Sequence, residues 1–280
     1  MFGSGAMWAS VSRYAASLSK EMLKGKLALI TGGGRGIGRA IAWKFAEQHA
    51  RVVVAARTAT QVKEVVRELS VAGNGEALGL VCDVANRESV DQMFADLREH
   101  FGAEVNILVN NAGVAESATL PNTTDELWHR HLAINLTGTF YCMRNALPAM
   151  LASGWGRIIN IASVAGKIGA PYISAYSASK HGVLGLTRSV ALEVGASGVT
   201  VNAICPGYVD TDMVSRGIER ITARTGRSAE EALATIKRMS PQNRLVTPEE
   251  VASLALLLVS DEGRGINGQG INIDGGTVLS

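Results

Sequence analysis

The sequence of 280 residues contains little cysteine, and none of it in a paired arrangement. Its three cysteines, Cys82, Cys142 and Cys205, lie far apart, so none has the C-x-x-C spacing of a metal or redox site. Isolated cysteines of this kind usually lie in the core as reduced thiols. We therefore predict buried thiols and no metal site, in keeping with a reducing compartment.

The sequence also lacks a charge imbalance and long apolar runs. Its 27 Lys and Arg residues are matched by 25 Asp and Glu residues without basic blocks, for a net charge of +2 at pH 7. This balance gives no electrostatic basis for binding nucleic acid or a membrane surface. No apolar stretch reaches the roughly 18 residues of a membrane-spanning helix. With 47% hydrophobic and 19% charged residues, the composition is that of a soluble globular protein with a large core.

Acidic residues are nearly absent from the first 24 positions. Residues 1–24 are rich in Ser and Ala and carry Arg13, Lys20 and Lys24 against the single acid Glu21. An acid-poor start of this kind is found in mitochondrial transit peptides. A loose extension or an expression remnant is the simpler explanation and the one we favour. We exclude residues 1–24 from the fold and predict a cytoplasmic protein, with mitochondrial targeting as the alternative.

From residue 25 onward, short apolar runs alternate with stretches of helical periodicity. Continuous apolar strands separated by helices require crossover connections, which are typical of parallel sheets covered on both faces. The pattern predicts one α/β domain over residues 25–280, with a doubly wound, parallel, seven-stranded Rossmann sheet and helices on both faces. Strands are predicted at 27–31, 51–56, 78–83, 107–111, 157–163, 200–205 and 270–274, and helices at 37–47, 61–71, 87–100, 125–151, 174–196 and 249–260.

Two of these helices begin with a hydroxyl residue followed three positions later by Glu. The pairs are Thr123 with Glu126 and Thr247 with Glu250. In a capping box of this type the hydroxyl and the carboxylate satisfy the free N–H groups of the first helical turn. We therefore expect both acids to cap helices and to take no part in catalysis.

The first predicted strand leads directly into a glycine-rich turn, TGGGRGIG at 31–38, and a helix follows. Glycines allow a tight turn and a close approach of the backbone to a pyrophosphate, which then lies on the N–H groups of the helix N-terminus. Such a string is a weak signal alone, but the strand before it and the helix after it strengthen the prediction. The candidate dinucleotide-binding residues here are Gly32, Gly34, Arg35, Gly36, Ile37 and Gly38.

The second predicted strand lacks the carboxylate that usually holds the adenosine ribose of NAD. Arg57 follows this strand instead. A guanidinium pairs with phosphate through two hydrogen bonds, so Arg57, assisted by Arg35, favours the 2′-phosphate of NADP. The alternative is that Arg57 is a solvated loop residue and the cofactor is NAD.

Tyr176 and Lys180 lie four positions apart on the fifth predicted helix and therefore share one of its faces. Ionising a phenol at pH 7 costs roughly 4 kcal/mol. A unit charge at a distance of about 4 Å and an effective dielectric of about 20 supplies a similar amount. We therefore expect Lys180 to lower the pKa of Tyr176. Tyr176 would then act as general acid or base, while Ser163, at the end of the preceding strand, hydrogen-bonds the same substrate oxygen.

Three further short motifs follow other predicted strands: Asp83-Val84, Asn110-Asn111-Ala112-Gly113 and Pro206-Gly207. Together with TGGGRGIG and Y-x-x-x-K, they make residues 26–276 resemble the short-chain dehydrogenase/reductase family, classical type. In motif the sequence is most similar to its 3-oxoacyl reductases and related secondary-alcohol dehydrogenases. The resemblance implies a catalytic tetrad of Asn135, Ser163, Tyr176 and Lys180. It also implies that Tyr176, Lys180 and the following residues contact the cofactor: Asp83, Val84, Asn110, Ala112, Gly113, Pro206, Gly207, Val209 and Thr211.

The family resemblance also implies an assembly and a cover over the site. Helices 125–151 and 174–196 correspond to the family's four-helix dimer interface, so a homotetramer is expected. Residues 208–247 form a stretch long enough to be functional, with a helix signal at Ser228 and Glu231, and we predict a lid. The alternative is a helical excursion that supports the oligomer.

The expected reaction is the NADP(H)-dependent interconversion of a ketone and a secondary alcohol. The substrate is a small ketone or a 3-oxoacyl compound. A coenzyme A thioester is one option, because cations are frequent in the predicted lid. Gly154 and Ser197 stand where related carrier-protein reductases have basic residues, which disfavours a carrier protein. The alternatives are an NAD-dependent secondary-alcohol or 3-hydroxyacid dehydrogenase and a catalytically silent scaffold. The cations of the lid are Arg216, Arg220, Arg224, Arg227, Lys237 and Arg238.

Three histidines have positions that argue against a role as metal ligands. His129 and His131 flank Arg130 on a helix without a third ligand, and His181 directly follows Lys180. A stable site needs three or four ligands at suitable spacing. The sequence therefore indicates hydride transfer without a metal.

Overall fold

The structure is a computed structural model that describes residues 21–72 and 75–279, without the side chain of residue 224. Seven parallel strands form a single sheet in the order β3-β2-β1-β4-β5-β6-β7. The predicted doubly wound sheet is therefore confirmed. The strands are β1 (Leu27–Thr31), β2 (Arg51–Ala56), β3 (Ala77–Val81), β4 (Ile107–Asn110), β5 (Gly156–Ile161), β6 (Val199–Pro206) and β7 (Gly270–Ile273).

Alternate residues of the strands enter two separate apolar cores, one on each face of the sheet. In β1, Ala28 and Ile30 belong to one core while Leu27 and Leu29 belong to the other. Helices cover both faces, which explains why the strand segments read as continuously apolar. These helices are α1 (Gly36–Ala46), α2 (Ala59–Val71), α3 (Arg87–Phe101), α4 (Asp125–His131), α5 (Gly138–Ser153), α6 (Ser174–Glu193), α7 (Asp212–Thr225), α8 (Ala229–Arg238) and α9 (Pro248–Val259).

The helix predicted at 125–151 differs from the structure in its interior. A π-helical turn, Leu132–Thr137, separates α4 from α5, and Asn135 lies within it. The predicted N-cap of α4 is also wrong by one position. Thr124 accepts the cap hydrogen bond from the backbone N–H of Leu127 at 3.2 Å. The hydroxyl of Thr123 instead donates to the carbonyl of Thr119 at 3.0 Å.

The folded domain begins earlier than the predicted boundary at residue 25. Leu23 is 1% exposed and packs in the core beside Phe45. Its backbone N–H donates to the carbonyl of Gln48 at 2.9 Å. Residues 21–24 therefore belong to the domain, because the amphipathic run preceding β1 supplies a core side chain. The predictions for residues 1–20 lie outside the described residues.

The strand order reverses between β1 and β4, because the chain first runs outward to β3 and then returns. Open parallel sheets bind their ligands at such a switch point, beyond the carboxyl ends of the strands. The loops after β1 and β4 meet there, and the segment predicted to form a lid, residues 208–247, follows β6. The base of that segment is closed by a parallel bridge between the buried residues Val209 and Val246.

The capping boxes predicted at Thr247 and Ser228 are both present, at the starts of α9 and α8. All three cysteines are buried. A search of the described residues finds neither a helix able to span a membrane nor a cluster of metal-ligating side chains.

Candidate active site

The glycine turn after β1 has a conformation that requires its glycines. Gly32 and Gly36 have positive φ angles of 62° and 53°. A side chain at Gly38 would collide with the amide of Asn111 and would lie 2.5 Å from the carbonyl oxygen of Gly32. The turn therefore packs directly against the loop that follows β4.

Asn111 fastens that contact, although the sequence analysis assigned it no role. Its side-chain amide donates to the carbonyls of Thr31 and Gly32 at 3.0 and 2.9 Å. Its backbone N–H donates to the Thr31 hydroxyl at 3.1 Å. These hydrogen bonds join the loop after β1 to the loop after β4. Asn111 is therefore a structural part of the dinucleotide site. Only its place in the Asn-Asn-Ala-Gly motif indicated it.

The first turn of α1 can receive a pyrophosphate. Its N-cap residue, Arg35, makes no side-chain cap, and no acidic residue occupies the first turn. The free N–H groups and the positive end of the helix dipole therefore face the cleft without competition from a side-chain carboxylate of the helix. The cleft beside it is lined by predicted and additional residues, which include Gly32, Gly34, Arg35, Gly36, Ile37, Ala55, Arg57, Asp83, Val84, Asn111, Ala112, Gly113, Ile134, Thr211 and Arg216. A dinucleotide fits this chemistry.

Two arginines border the adenosine end of the cleft in different states. Arg57 is exposed after β2 and has no ion-pair partner among the residues described here. Arg35 forms an ion pair with Asp212 at 3.1 Å, at the start of α7. Arg57 is therefore the cation available to a 2′-phosphate, while Arg35 joins the glycine turn to the lid.

Some predicted cofactor residues act from behind the cleft. Asn110 is 4% exposed, and its amide donates to the Asn160 side chain at 2.8 Å, inside the sheet. Gly207 donates its N–H to the carbonyl of Ile273 at 3.1 Å and so fixes the turn after Pro206. Thr211 approaches the glycine turn, since its methyl carbon lies 3.1 Å from the position of a Cβ at Gly36.

The structure brings Ser163, Tyr176 and Lys180 together beyond the carboxyl end of β5. The Lys180 ammonium nitrogen lies 5.8 Å from the centroid of the Tyr176 ring. It donates a hydrogen bond to the carbonyl of Ile161 at 2.7 Å, and Lys180 is only 5% exposed. A side-chain hydrogen bond joins Ser163 to Tyr176. The catalytic group predicted from the sequence is therefore one spatial cluster.

Burial has opposite effects on the two titrating groups. Loss of hydration lowers the pKa of Lys180 to about 8. Loss of hydration raises the pKa of Tyr176 above its ordinary value, against the smaller lowering effect of the hydrogen bond from Ser163. The expectation that Lys180 lowers the pKa of Tyr176 is therefore not met, because the ammonium is directed to the Ile161 carbonyl and desolvation of the phenol dominates.

Asn135 organises the neighbouring loop from within the π-helical turn. Its side-chain oxygen accepts from the Val114 N–H at 2.8 Å, and its amide donates to the Val114 carbonyl at 3.0 Å. The same amide donates to the hydroxyl of Ser179 at 3.0 Å, and Ser179 donates to the Tyr176 carbonyl at 2.7 Å. Ser179, which the sequence analysis missed, thereby connects Asn135 to the helix that carries Tyr176 and Lys180.

His131, which the sequence analysis set aside, is fully buried next to the site. Its ring lies edge-on to that of Tyr176, with 6.3 Å between the centroids. Nε2 accepts from the backbone N–H of Glu116 at 3.1 Å, and Nδ1 lies 2.8 Å from the Leu127 carbonyl. This pattern requires a neutral imidazole with its proton on Nδ1. No pattern in the sequence indicated this contact, because His131 and Tyr176 are on separate helices.

These positions give the chain the parts of a carbonyl reductase. A nicotinamide dinucleotide supplies hydride when it is bound in the cleft. Tyr176 holds a phenolic proton that can pass to a carbonyl oxygen, and Ser163 can donate a hydrogen bond to the same oxygen. Lys180 provides a cation close to the phenol, and a lysine with a pKa of about 8 can also exchange protons near neutral pH.

Comparisons with known proteins agree with this arrangement. Residues 32–278 match the family model described as enoyl-(acyl carrier protein) reductase. The chain is 41% identical over 253 residues to the D-beta-hydroxybutyrate dehydrogenase of Rhizobium meliloti, covering 90% of this chain and 98% of the relative. It is 40% identical over 259 residues to the 3-oxoacyl-(acyl-carrier-protein) reductase of Synechocystis, covering 92% and 98%.

A solved structure shares both the fold and much of the sequence. A crystal structure of a variant of actinorhodin polyketide ketoreductase with NADPH matches with a TM-score of 0.88 at 38% identity, covering 91% of this chain and 98% of that one. The chain belongs to the short-chain dehydrogenase/reductase family.

Proposed function

We propose that this chain is an NADPH-dependent reductase that converts a 3-oxoacyl compound or a small ketone to the corresponding secondary alcohol. The observation that carries the proposal is the cluster of Ser163, Tyr176 and Lys180 beside a cleft built for a dinucleotide. The raised pKa of Tyr176 keeps the phenol protonated at pH 7, as a general acid toward a carbonyl must be. The relatives named as 3-oxoacyl and ketoacyl reductases support the substrate class.

The cofactor preference rests on the adenosine end of the cleft. Arg57 supplies a positive charge there, and NADPH accompanies the similar ketoreductase structure. An NAD-dependent 3-hydroxyacid dehydrogenase is the second candidate, because the relative from Rhizobium meliloti is named D-beta-hydroxybutyrate dehydrogenase. The two candidates use the same chemistry in opposite directions, so cofactor preference distinguishes them.

The proposal extends to the acyl carrier of the substrate, the assembly and the lid. Four cations of the lid segment suit the phosphates of a coenzyme A thioester: Arg220 in α7, Arg227 between α7 and α8, and Lys237 and Arg238 in α8. Arg220 already reaches the site loop, since its guanidinium donates to the carbonyl of Ala115 at 3.2 Å. We further propose a homotetramer that acts in the cytoplasm, with residues 208–247 as the lid.

The proposed role of Tyr176 is tested by Tyr176→Phe. The substitution keeps the ring and removes the proton that passes to the carbonyl oxygen. We expect NADPH oxidation with a 3-oxoacyl thioester to fall about 10² to 10⁴-fold in turnover. NADPH affinity, followed by fluorescence titration, should change little because the glycine turn and Arg57 are untouched.

Tyr141→Phe is the matched control, since it removes a phenolic hydroxyl from α5, away from the cluster. Its turnover should equal that of the unaltered protein. Undiminished turnover in Tyr176→Phe would refute the assignment of the phenol as general acid.

A further inference from the structure

A second cavity lies at the amino-terminal ends of the strands, at the end of the sheet opposite the catalytic cluster. Its volume is about 390 Å³, within the range of small-molecule sites. It lies where β5 and β6 begin, whereas Ser163 follows the end of β5. Ser163 lies six positions after Arg157 along an extended chain, which is a distance of about 20 Å. The cavity is lined by Gly154, Trp155, Arg157, Gly195, Gly198, Val199, Thr200, Asp261, Arg264 and Asn267.

Two buried polar side chains border this cavity without all their hydrogen bonds. Arg157 and Thr200 are register partners on β5 and β6, so their side chains share one face of the sheet. They are 4% and 7% exposed. The Arg157 Nε–H and the Thr200 hydroxyl have no hydrogen-bond partner within the described part of the chain. A buried donor without a partner is costly, so these two groups indicate that an acceptor belongs between them.

The rest of the Arg157 guanidinium is held rigidly. Its Nη1 donates to the carbonyls of Gly156 and Gly198 at 2.8 and 3.0 Å. Its central carbon lies 4.5 Å from the centroid of the Trp155 ring. Gly198 has a φ of 78°, and a side chain there would collide with the Gly154 carbonyl. The backbone of Gly156 and of Gly198 therefore lies close to the guanidinium. Nε is the nitrogen that remains open to a ligand.

The charges around the cavity favour a negative occupant. Lys26 also contacts the ring of Trp155, with its Nζ 3.6 Å from the ring centroid. Arg264 lines the cavity. Asp261 is the one carboxylate among the lining residues; its negative charge acts on both Arg157 and Lys26, although it forms no ion pair with Arg157 in the region described. The C-termini of α5 and α6 contribute about half a negative charge each. Positive charge therefore remains in excess around a desolvated guanidinium, which is normally paired.

We propose that this cavity binds a small organic anion, and that its oxyanion group accepts hydrogen bonds from Arg157 Nε and the Thr200 hydroxyl. Arg264 at the exposed rim attracts the anion and remains partly solvated. The cavity is larger than inorganic phosphate requires, so a carboxylate or phosphate attached to a short carbon chain suits it better. The site is separate from the dinucleotide cleft and does not depend on the proposed function.

The test uses the intrinsic fluorescence of the full-length protein, which contains four tryptophans, including Trp155 at the cavity. Acetate, butyrate and inorganic phosphate are titrated at constant ionic strength, with chloride as the reference anion. We expect a saturable change for butyrate or phosphate that chloride does not produce. Thr200→Val keeps the side-chain shape and removes the hydroxyl, and it should weaken binding about tenfold, as expected for one hydrogen bond to a charged group.

Two further variants complete the design. Arg264→Ala should weaken binding and flatten its dependence on salt, because it removes a rim charge. Thr60→Val, an equivalent substitution at an exposed position of α2, should bind as the unaltered protein does. NADPH affinity should be the same in all of these variants, since the cofactor cleft lies at the carboxyl ends of the strands.

The proposal is overturned if none of the three anions gives a saturable signal up to about a thousand times the protein concentration. It is also overturned if Thr200→Val binds as tightly as the unaltered protein. A crystal grown with 50 mM butyrate that shows only water between Arg157 and Thr200 would equally overturn it.

Discussion

At the scale of single residues, burial determines how the proton-transfer groups are set. Lys180 loses most of its hydration, and this lowers its pKa to about 8. The same effect raises the pKa of Tyr176. Both shifts favour the neutral forms, so the phenol retains its proton at pH 7. A phenol in this state can give its proton to a carbonyl oxygen.

Arg57 is the residue on which the cofactor preference depends. Arg57→Ala removes the exposed guanidinium at the adenosine end of the cleft. A phosphate held by Arg contributes a charge-assisted hydrogen bond of about 1.5 to 3 kcal/mol. We expect kcat/KM with NADPH to fall about tenfold to a hundredfold, while kcat/KM with NADH changes little.

Steady-state kinetics with both reduced cofactors measure this preference. Arg67→Ala is the control, because Arg67 is exposed on α2 and does not line the cleft. An unaltered ratio of the two cofactors in Arg57→Ala would remove the electrostatic argument for NADPH.

At the scale of the elements, the site depends on how loops are packed against one another. The glycine turn after β1, the Asn111 loop after β4 and the π-helical turn at Leu132–Thr137 are each held by side-chain amides. Asn135 lies in the π-helical turn and clamps both backbone groups of Val114. π-helical turns are common at functional sites. Here Asn135 lies within the π-helical turn and contacts the loop that follows β4.

Gly38→Ala tests the packing of α1 against these loops. The added methyl group would meet the Asn111 amide and the Gly32 carbonyl. These two groups are hydrogen-bonded to each other, so neither can move away. Overpacking of this kind costs about 1 to 3 kcal/mol. We expect a lower urea midpoint and NADPH binding weakened by about tenfold or more, measured by denaturation and by fluorescence titration.

Gly217→Ala is the matched control for that substitution. Gly217 lies inside α7, and a Cβ there meets nothing within 4 Å. Its replacement should stabilise the protein by up to about 1 kcal/mol and leave NADPH affinity unchanged. If Gly38→Ala binds NADPH as tightly as Gly217→Ala does, the close approach at Gly38 has no role in cofactor binding.

At the scale of the whole molecule, α5 and α6 carry apolar side chains that the single chain leaves uncovered. Leu192 is 86% exposed, Leu151 is 42% exposed and Phe140 is 40% exposed. Isolated exposed apolar residues are ordinary in any protein. Their position on the two helices that the family resemblance assigns to a dimer interface makes them candidates for burial in the proposed homotetramer.

Leu192→Arg places a charge in that interface and leaves the core of the chain intact. We expect the molar mass measured by light scattering after size exclusion to drop from that of a tetramer to a smaller species. Val71→Arg is the control, because Val71 is 79% exposed at the end of α2. A mass that Leu192→Arg leaves unchanged would count against an interface through α6.

The sequence determined the parts of this protein whose physical cause is local. Apolar runs and helical periods specify the seven strands, since each element buries its own face. The glycine turn and the Tyr176–Lys180 spacing are equally local, because they lie within one turn or one helix. The predicted boundary at residue 25 was wrong because Leu23 packs in the core. The predicted cap at Thr123 was wrong, and the Thr123 hydroxyl bonds the carbonyl of Thr119 instead.

Only the tertiary structure decided the environment of the reacting groups. The shifts in the pKa of Lys180 and Tyr176 depend on which side chains and carbonyls surround them, and those come from distant parts of the chain. The contacts of His131 with Tyr176 and of Asn135 with Ser179 likewise join separate helices. Desolvation is a property of the packed interior, so no spacing of residues along the chain can express it.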